Sequence, residues 1–291
     1  MKNKQQTMNK QQRTRRAFTL IELVVSVALL GIIFLFAGII FKVSINSYRT
    51  AIANTDIMQK FRAITDQLDA DFEGAQLSAG GNVTFGLITG GSVIDGQAED
   101  IRSDSIVIFS TGDFQTSRQY NSKTVVGNAA AIFYGLANIP GPNTNPREKV
   151  LTRRQTIFTS DSSLTLTNLG ARAEYCNQET LADVIAYNAE GDTTLVDSLM
   201  VRPEWDPTNF NPNNLVYYMA KGVDDFAIQY IGWESPYLGR AFNDWRPVDS
   251  EVPGWASDPS PQALKFSFTL YDSRGIIKKG RRFTHIVYLR E

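Results

Sequence analysis

Between Leu23 and Phe41 the chain runs 19 residues without a charge. A helix of that length, at about 1.5 Å per residue, spans roughly 30 Å, the thickness of a bilayer's hydrocarbon core. One carboxylate, Glu22, stands at the entrance to this run. An ionised acid at mid-bilayer costs on the order of 3 kcal/mol, less near the interface, so it usually has a role. Six basic residues precede it, Lys2, Lys4, Lys10, Arg13, Arg15 and Arg16. They are expected to stay in the cytoplasm, which sends everything after Lys42 across the membrane. The apolar run exceeds an ordinary signal-peptide core, and no small-x-small cleavage site follows it. A plain membrane anchor explains the length but leaves Glu22 without a partner.

Beyond the run, apolar residues keep a helical step: Phe41, Ile45, Tyr48, Ile52, then Ile57, Phe61, Ile64, Leu68 and Phe72. Steps of three and four dominate, and no proline interrupts residues 18–77. One continuous helix is therefore expected to about Leu77, half in lipid and half in water. Gly31 and Gly38 are its soft points, each costing about 1 kcal/mol relative to Ala, or else close-packing sites. Gly80 and Gly81 are the expected terminators. After them come short alternating or β-branched runs that read as strands: "NVTFGLI", "DSIVIFST", "AAIFYGL", "RQTIFTS", "LVYYMA", "DDFAIQYIGW", "LKFSFTLYD" and "RFTHIVYLR". Residues 171–190 carry a weak helical signal. The expected fold is α+β, with a long N-terminal helix packed on an antiparallel β-rich head.

Composition narrows the function. After residue 17 the chain has 23 Lys/Arg against 30 Asp/Glu, a net of −7. An acidic body is poorly suited to nucleic acid, whose phosphates require clustered cations. One cysteine, Cys176, excludes an internal disulfide framework, and one histidine, His285, removes most zinc and nucleophile–base schemes. "AGGNVTFGLITGGS" lacks the Gly-Lys-Ser/Thr ending of a phosphate loop and reads as hairpin turns. Asp69, Asp71 and Glu73 are two apart, so on a helix they diverge by about 200° and read as a solvated helix end. "PEWDPTNFNPNN" is rich in oxygen ligands but lacks the spacing of a calcium loop. Trp233, Trp245 and Trp255 crowd near Tyr237 and Phe242. Loop packing, a partner contact and ligand binding all remain open for them. Alternation puts His285 on one strand face with Phe283 and Val287, as a hydrogen-bonded strand histidine rather than a catalytic one. No catalytic residue, cofactor or metal site is expected.

"RRAFTLIELVVSVALLG" resembles the signal of type IV prepilins and pseudopilins: a basic leader, a small residue, Phe, a short run, Glu and an apolar helix. The resemblance implies cleavage between Ala17 and Phe18 by a prepilin peptidase and N-methylation of Phe18. It also implies that Glu22 pairs with a neighbouring subunit's terminal amine during assembly, an opposite charge met in low dielectric. The implied division is a leader at 1–17, a transmembrane helix at 18–41, an amphipathic spine at 42–79 and a head at 80–291. Further on, "FRAITDQLDADFEGAQ", "KGVDDFAIQYIGWE", "PSPQALKFSFTLYDSRG" and "RRFTHIVYLRE" resemble the J-type minor pseudopilins of type II secretion and the related W-type minor pilins. That resemblance implies a structural subunit, not an enzyme, in the inner membrane with its head in the periplasm. Its implied partners are I- and K-type subunits, the major subunit, the assembly platform and lipid, with no nucleic acid. The presence of Glu22 argues against the uppermost position in the filament. The alternative is a minor pilin of a type IV pilus or competence filament with an adhesive or DNA-uptake role.

Overall fold

A computed structural model describes residues 19–75, 85–88, 102–120, 122–139, 145–159, 174–176, 199, 201–206, 212–231, 234–235, 240–241, 244–247 and 262–289. The apolar run and the stripe behind it form a single helix, α1, Leu20–Glu73, of 54 residues. The chain divides into two compact units within this helix, Met1–Ala51 and Ile52–Glu291. From Leu20 to Ala51 every side chain is exposed except the half-buried Ile45. In the second unit the stripe is buried through Ala53, Ile57, Ile64, Leu68 and Phe72, with Phe61 packed beside them. Ala53 fills the place where the sequence pattern slips by five residues after Ile52.

The strands among the described residues are β1 (Phe85–Ile88), β2 (Ser105–Tyr120), β3 (Lys123–Leu136), β4 (Val150–Phe158), β5 (Tyr175–Cys176) and β6 (Tyr218–Lys221). There follow β7 (Val223–Ile231), β8 (Glu234–Ser235), β9 (Arg240–Ala241), β10 (Arg246–Pro247), β11 (Ala263–Leu270) and β12 (Arg281–Tyr288). Strands β1 to β5 lie in sequence order in one sheet, with β6 also paired to β4. A second sheet has the order β10-β7-β11-β12, and β8 pairs with β9. Pairing is antiparallel except between β4 and β5. This long helix followed by antiparallel sheets is the expected α+β, pilin-like arrangement.

One core cluster joins the helix to both sheets. Ile57, Ile64, Leu68 and Phe72 meet Ile106, Ile108, Ile132 and Tyr134 of the first sheet and Phe226, Phe266 and Phe268 of the second. Phe72 meets Phe266 at 5.6 Å between centroids, and Phe61 stacks on Phe283 at 4.7 Å. Each such side chain contributes about 1.5–3 kcal/mol when fully buried. Alternate residues of β2 and β3, Val107, Phe109, Ala131 and Phe133, form a second cluster with Phe158 and Leu199. Burial on both faces explains why "SIVIF" is an unbroken apolar run instead of an alternating one.

Several expectations are corrected. The helix stops at Glu73, short of Leu77, because β2 captures the next residues. The Thr111 N–H donates to Gly74 O at 2.8 Å, and Ala75 forms an antiparallel bridge to Ser110. Gly80 and Gly81 lie outside the described residues. Strand β2 extends nine residues past the apolar "DSIVIFST", with register shifts after Thr111 and Gln115. In its outer half exposed residues alternate with the half-buried or buried Phe114, Thr116, Arg118 and Tyr120, but two of those four are polar, so no apolar alternation announced it. Within "LVYYMA", Leu215–Tyr217 belong to a 3-10 helix (Pro212–Tyr217), and the strand begins at Tyr218. Of residues 171–190, 174–176 are a turn and strand β5, and the rest lie outside the described residues. Most of "AGGNVTFGLITGGS" lies outside them too, apart from Phe85–Ile88.

Candidate functional site

The site starts where α1 starts. Thr19 precedes the first helical residue, and its backbone N–H and its hydroxyl both donate to Glu22 Oε2 at 3.0 Å. In return the Glu22 N–H donates to Thr19 Oγ1 at 3.4 Å. This reciprocal pair is a capping box, which satisfies two backbone donors that a helix leaves unpaired at its first turn. The partial positive charge of the helix N-terminus also favours an anion at that place. Glu22 is therefore held by the first turn of its own helix. Its second oxygen, Oε1, accepts no hydrogen bond among the described residues. The Thr-x-x-Glu spacing could have announced the cap from sequence; the apolar run drew attention to Glu22 alone.

The helix around this cap offers lipid or other helices a continuous apolar surface. Leu20, Phe34 and Phe41 are 82%, 67% and 68% exposed. Its apolar window has a mean hydropathy of 3.0 and no buried residue among the described residues, and it is long and apolar enough to cross a membrane. Ala17 and Phe18, the expected cleavage residues, lie outside the described residues.

Residues 12–38 match the family described as the prokaryotic N-terminal methylation motif. The chain carries a type IV pilin-like prepilin signal. The match joins the basic leader, the capped helix start and the first part of the apolar run in one motif. It indicates a pilin-like or pseudopilin subunit, a class that works by assembly with like subunits after processing by a prepilin peptidase. No curated protein and no solved structure matches the chain.

The other candidates disperse over the head. Asp69, Asp71 and Glu73 do not form a solvated helix end together: Asp71 is 4% exposed. Arg153 of β4 grips it with Nε on Oδ2 at 2.6 Å and a terminal nitrogen on Oδ1 at 2.7 Å. The Tyr134 hydroxyl also donates to Oδ2, and Gln67 Nε2 donates to Oδ1 at 3.0 Å. Burial, and then the Asp71 carboxylate beside it, push the Tyr134 hydroxyl well above the usual tyrosine range, so it stays a donor. This network anchors the helix end to the first sheet, and its 82-residue separation hid it from any spacing rule. His285 meets Asp69 Oδ1 at 2.8 Å through Nε2, the hydrogen-bonded strand histidine the alternation suggested.

Trp245 lies under the Lys265 ammonium at 4.7 Å. Trp233, Tyr237, Phe242 and Trp255 lie outside the described residues. Cys176 is in β5, opposite Phe158. Among the described residues no three His, Cys, Asp or Glu side chains group closely enough to hold a metal ion.

Proposed function

We propose that the chain is a minor pseudopilin, a structural subunit of a type II secretion pseudopilus. The observation that carries this is the methylation motif on an exposed apolar helix whose first turn holds Glu22. In this reading the peptidase cuts between Ala17 and Phe18 and Phe18 is methylated. The head stands in the periplasm, and the leader is left in the cytoplasm. The Phe18 ammonium of one subunit then approaches Glu22 of the next, which has Oε1 to accept it. Pairing in a low-dielectric setting offsets the desolvation of both charges.

Support for the J-type assignment comes from where its resembling stretches fall. "KGVDDFAIQYIGWE" holds β7, "PSPQALKFSFTLYDSRG" holds β11 and "RRFTHIVYLRE" holds β12, three neighbours in one sheet. A tip complex with I- and K-type subunits is the expected setting, with Glu22 arguing for a place below the uppermost subunit. The same motif also serves minor pilins of type IV pili and competence filaments, and capture of pilus instead of secretion subunits would favour that reading.

Intact-mass measurement of the membrane-extracted protein should give Phe18–Glu291 plus one methyl group. Glu22→Ala should leave that mass and membrane insertion unchanged while abolishing co-purification with other pilin-like chains. Functional protein that keeps Met1 would refute processing, and normal incorporation of Glu22→Ala would refute the pairing.

A further inference from the structure

The connection from β11 to β12 is a basic tip. Arg274, Lys278 and Lys279 lie on it, Arg281 and Arg282 follow at the start of β12, and all are exposed. Between Ser273 and Arg282 there is no acid. Arg282 is paired with Asp225 at 3.1 Å, but none of the others is in an ion pair among the described residues. The nearby acids are engaged. Asp56 pairs with Lys60 at 3.3 Å, Asp224 with Lys149 at 2.6 Å, and buried Asp272 accepts the Ile276 and Ile277 N–H groups at 2.8 and 3.0 Å. Unpaired cations in so short a stretch repel one another, a cost that an anionic partner would remove.

The tip is fixed to the first turns that α1 contributes to the head. Asp56 accepts the Ser273 N–H at 2.8 Å, Lys60 donates to Tyr271 O at 2.9 Å, and Arg147 donates to Ile277 O at 2.9 Å. Charge along α1 is divided in the same sense. From Lys42 to Arg62 the helix has four cations (Lys42, Arg49, Lys60, Arg62) and one acid, Asp56. From Asp66 to Glu73 it has four acids (Asp66, Asp69, Asp71, Glu73) and no cation. Two of these, Asp69 and Glu73, line a groove beside the far end of β12, where Asp69 meets His285 at 2.8 Å. The basic tip therefore belongs to the end of the head's helix that follows the apolar run, and the acids to the other end.

A partner that attracts the first end and repels the second is an anionic surface lying where the apolar run is anchored. We propose that the tip rests on anionic phospholipid headgroups of the membrane that α1 crosses, with Arg274, Lys278, Lys279 and Arg281 meeting lipid phosphates. The proposal rests on the membrane-spanning reading above and adds a second, electrostatic contact to it. An anchored apolar run keeps the head close to the bilayer, so individually weak contacts add up. From Lys42 to Asp56 is 14 residues, about 21 Å of helix. The headgroup layer occupies about 5–8 Å of that length, and a helix tilt of up to about 40° shortens the rest. Attraction then acts over a Debye length of about 8 Å. Half-buried Ile276 stands between Arg274 and Lys278. An apolar side chain among cations suits a headgroup boundary better than the phosphates of nucleic acid. The contact belongs to the unassembled subunit, whose head it holds in one orientation.

The full chain with Cys176→Ser and Lys279→Cys, labelled at residue 279 with a fluorophore, would be reconstituted into two kinds of vesicle. One is phosphatidylcholine alone, the other phosphatidylcholine with admixed phosphatidylglycerol, and both contain a headgroup-attached quencher. Quenching should be about threefold or more greater with phosphatidylglycerol, and high salt should return it to the phosphatidylcholine level. Adding Arg274→Glu, Lys278→Glu and Arg281→Glu should do the same, with thermal melts unchanged because these side chains are exposed. Equal quenching in both vesicles, or none in either while the protein floats with the lipid, would overturn the contact and leave the membrane reading standing. Protein that fails to float with the vesicles would overturn both. Capture of duplex DNA without quenching, lost in the same triple variant, would give the tip to nucleic acid and overturn the lipid assignment.

Discussion

Asp71 and Glu22 are both acids on α1, and their surroundings give them opposite tasks. Glu22 is exposed at the helix start, satisfied on one oxygen by Thr19. Asp71 is enclosed, with Arg153, Tyr134 and Gln67 occupying both oxygens. A buried ion pair gains little over an apolar pair of the same shape, but breaking one side of it strands a charge. Arg153→Met should therefore destabilise the head by about 3–5 kcal/mol. Asp71→Leu combined with Arg153→Met should recover most of that loss, because no charge is left buried. Denaturant unfolding of the full chain in detergent, followed by tryptophan fluorescence, would measure both. Glu22 was legible in the sequence because a charge beside 19 uncharged residues is conspicuous. Asp71 was not, because its partner lies on a strand 82 positions away.

The helix and β2 meet at Gly74. A side chain there would run into Ser110 Oγ and Thr111 O, the backbone that ends the helix. Gly74→Ala should cost about 1–3 kcal/mol, the usual range for an overpacked site. Gly31 is the control: a Cβ there meets nothing within 4 Å. Gly31→Ala should leave unfolding of the head unchanged, as thermal melts of the two variants would show. Element types were legible wherever one period held, as in the helical stripe or β7 and β11. The helix end was not legible: the sequence pointed to Gly80 and Gly81, and only the approach of β2 at Gly74 ends the helix earlier. The outer half of β2 escaped notice for a different reason: its inner face, Phe114, Thr116, Arg118 and Tyr120, alternates with exposed residues, but Thr116 and Arg118 on that face are polar.

The two sheets of the head are joined by the short stretch Arg102–Asp104, which lies against β7. Ser103 forms a parallel bridge to Phe226, and the Asp104 N–H donates to Phe226 O at 2.8 Å. Asp104 Oδ2 accepts the Ile228 N–H at 2.8 Å, and Arg102 reaches Oδ1 at 3.3 Å. Burial raises the Asp104 carboxyl above its usual 3.8, and the Ile228 N–H and Arg102 offset only part of that rise. Between its unfolded and its raised folded value, Asp104 keeps in the folded protein a proton that the unfolded chain has released. From that joint, stability falls as pH rises from about 3.8 through the raised value. Asp104→Asn should remove this slope. The stability of the parent relative to the variant should decline across the window, and denaturant midpoints of both taken from mildly acidic to neutral pH would show it.

The apolar run, the basic residues before it and Glu22 were legible in the sequence alone, because a helix apolar enough to cross a membrane excludes charge along its whole length and makes the charges at its edge conspicuous. The helical stripe and most strands followed from their periods, since a half-buried element must repeat its apolar face. Tertiary structure alone decided which buried charges pair, where the helix yields to the sheet, and that Asp69 and Glu73 of the helix line a groove beside the end of β12. Those features arise from residues far apart in the chain, and only the folded backbone brings them within the few ångströms over which hydrogen bonds and packing act.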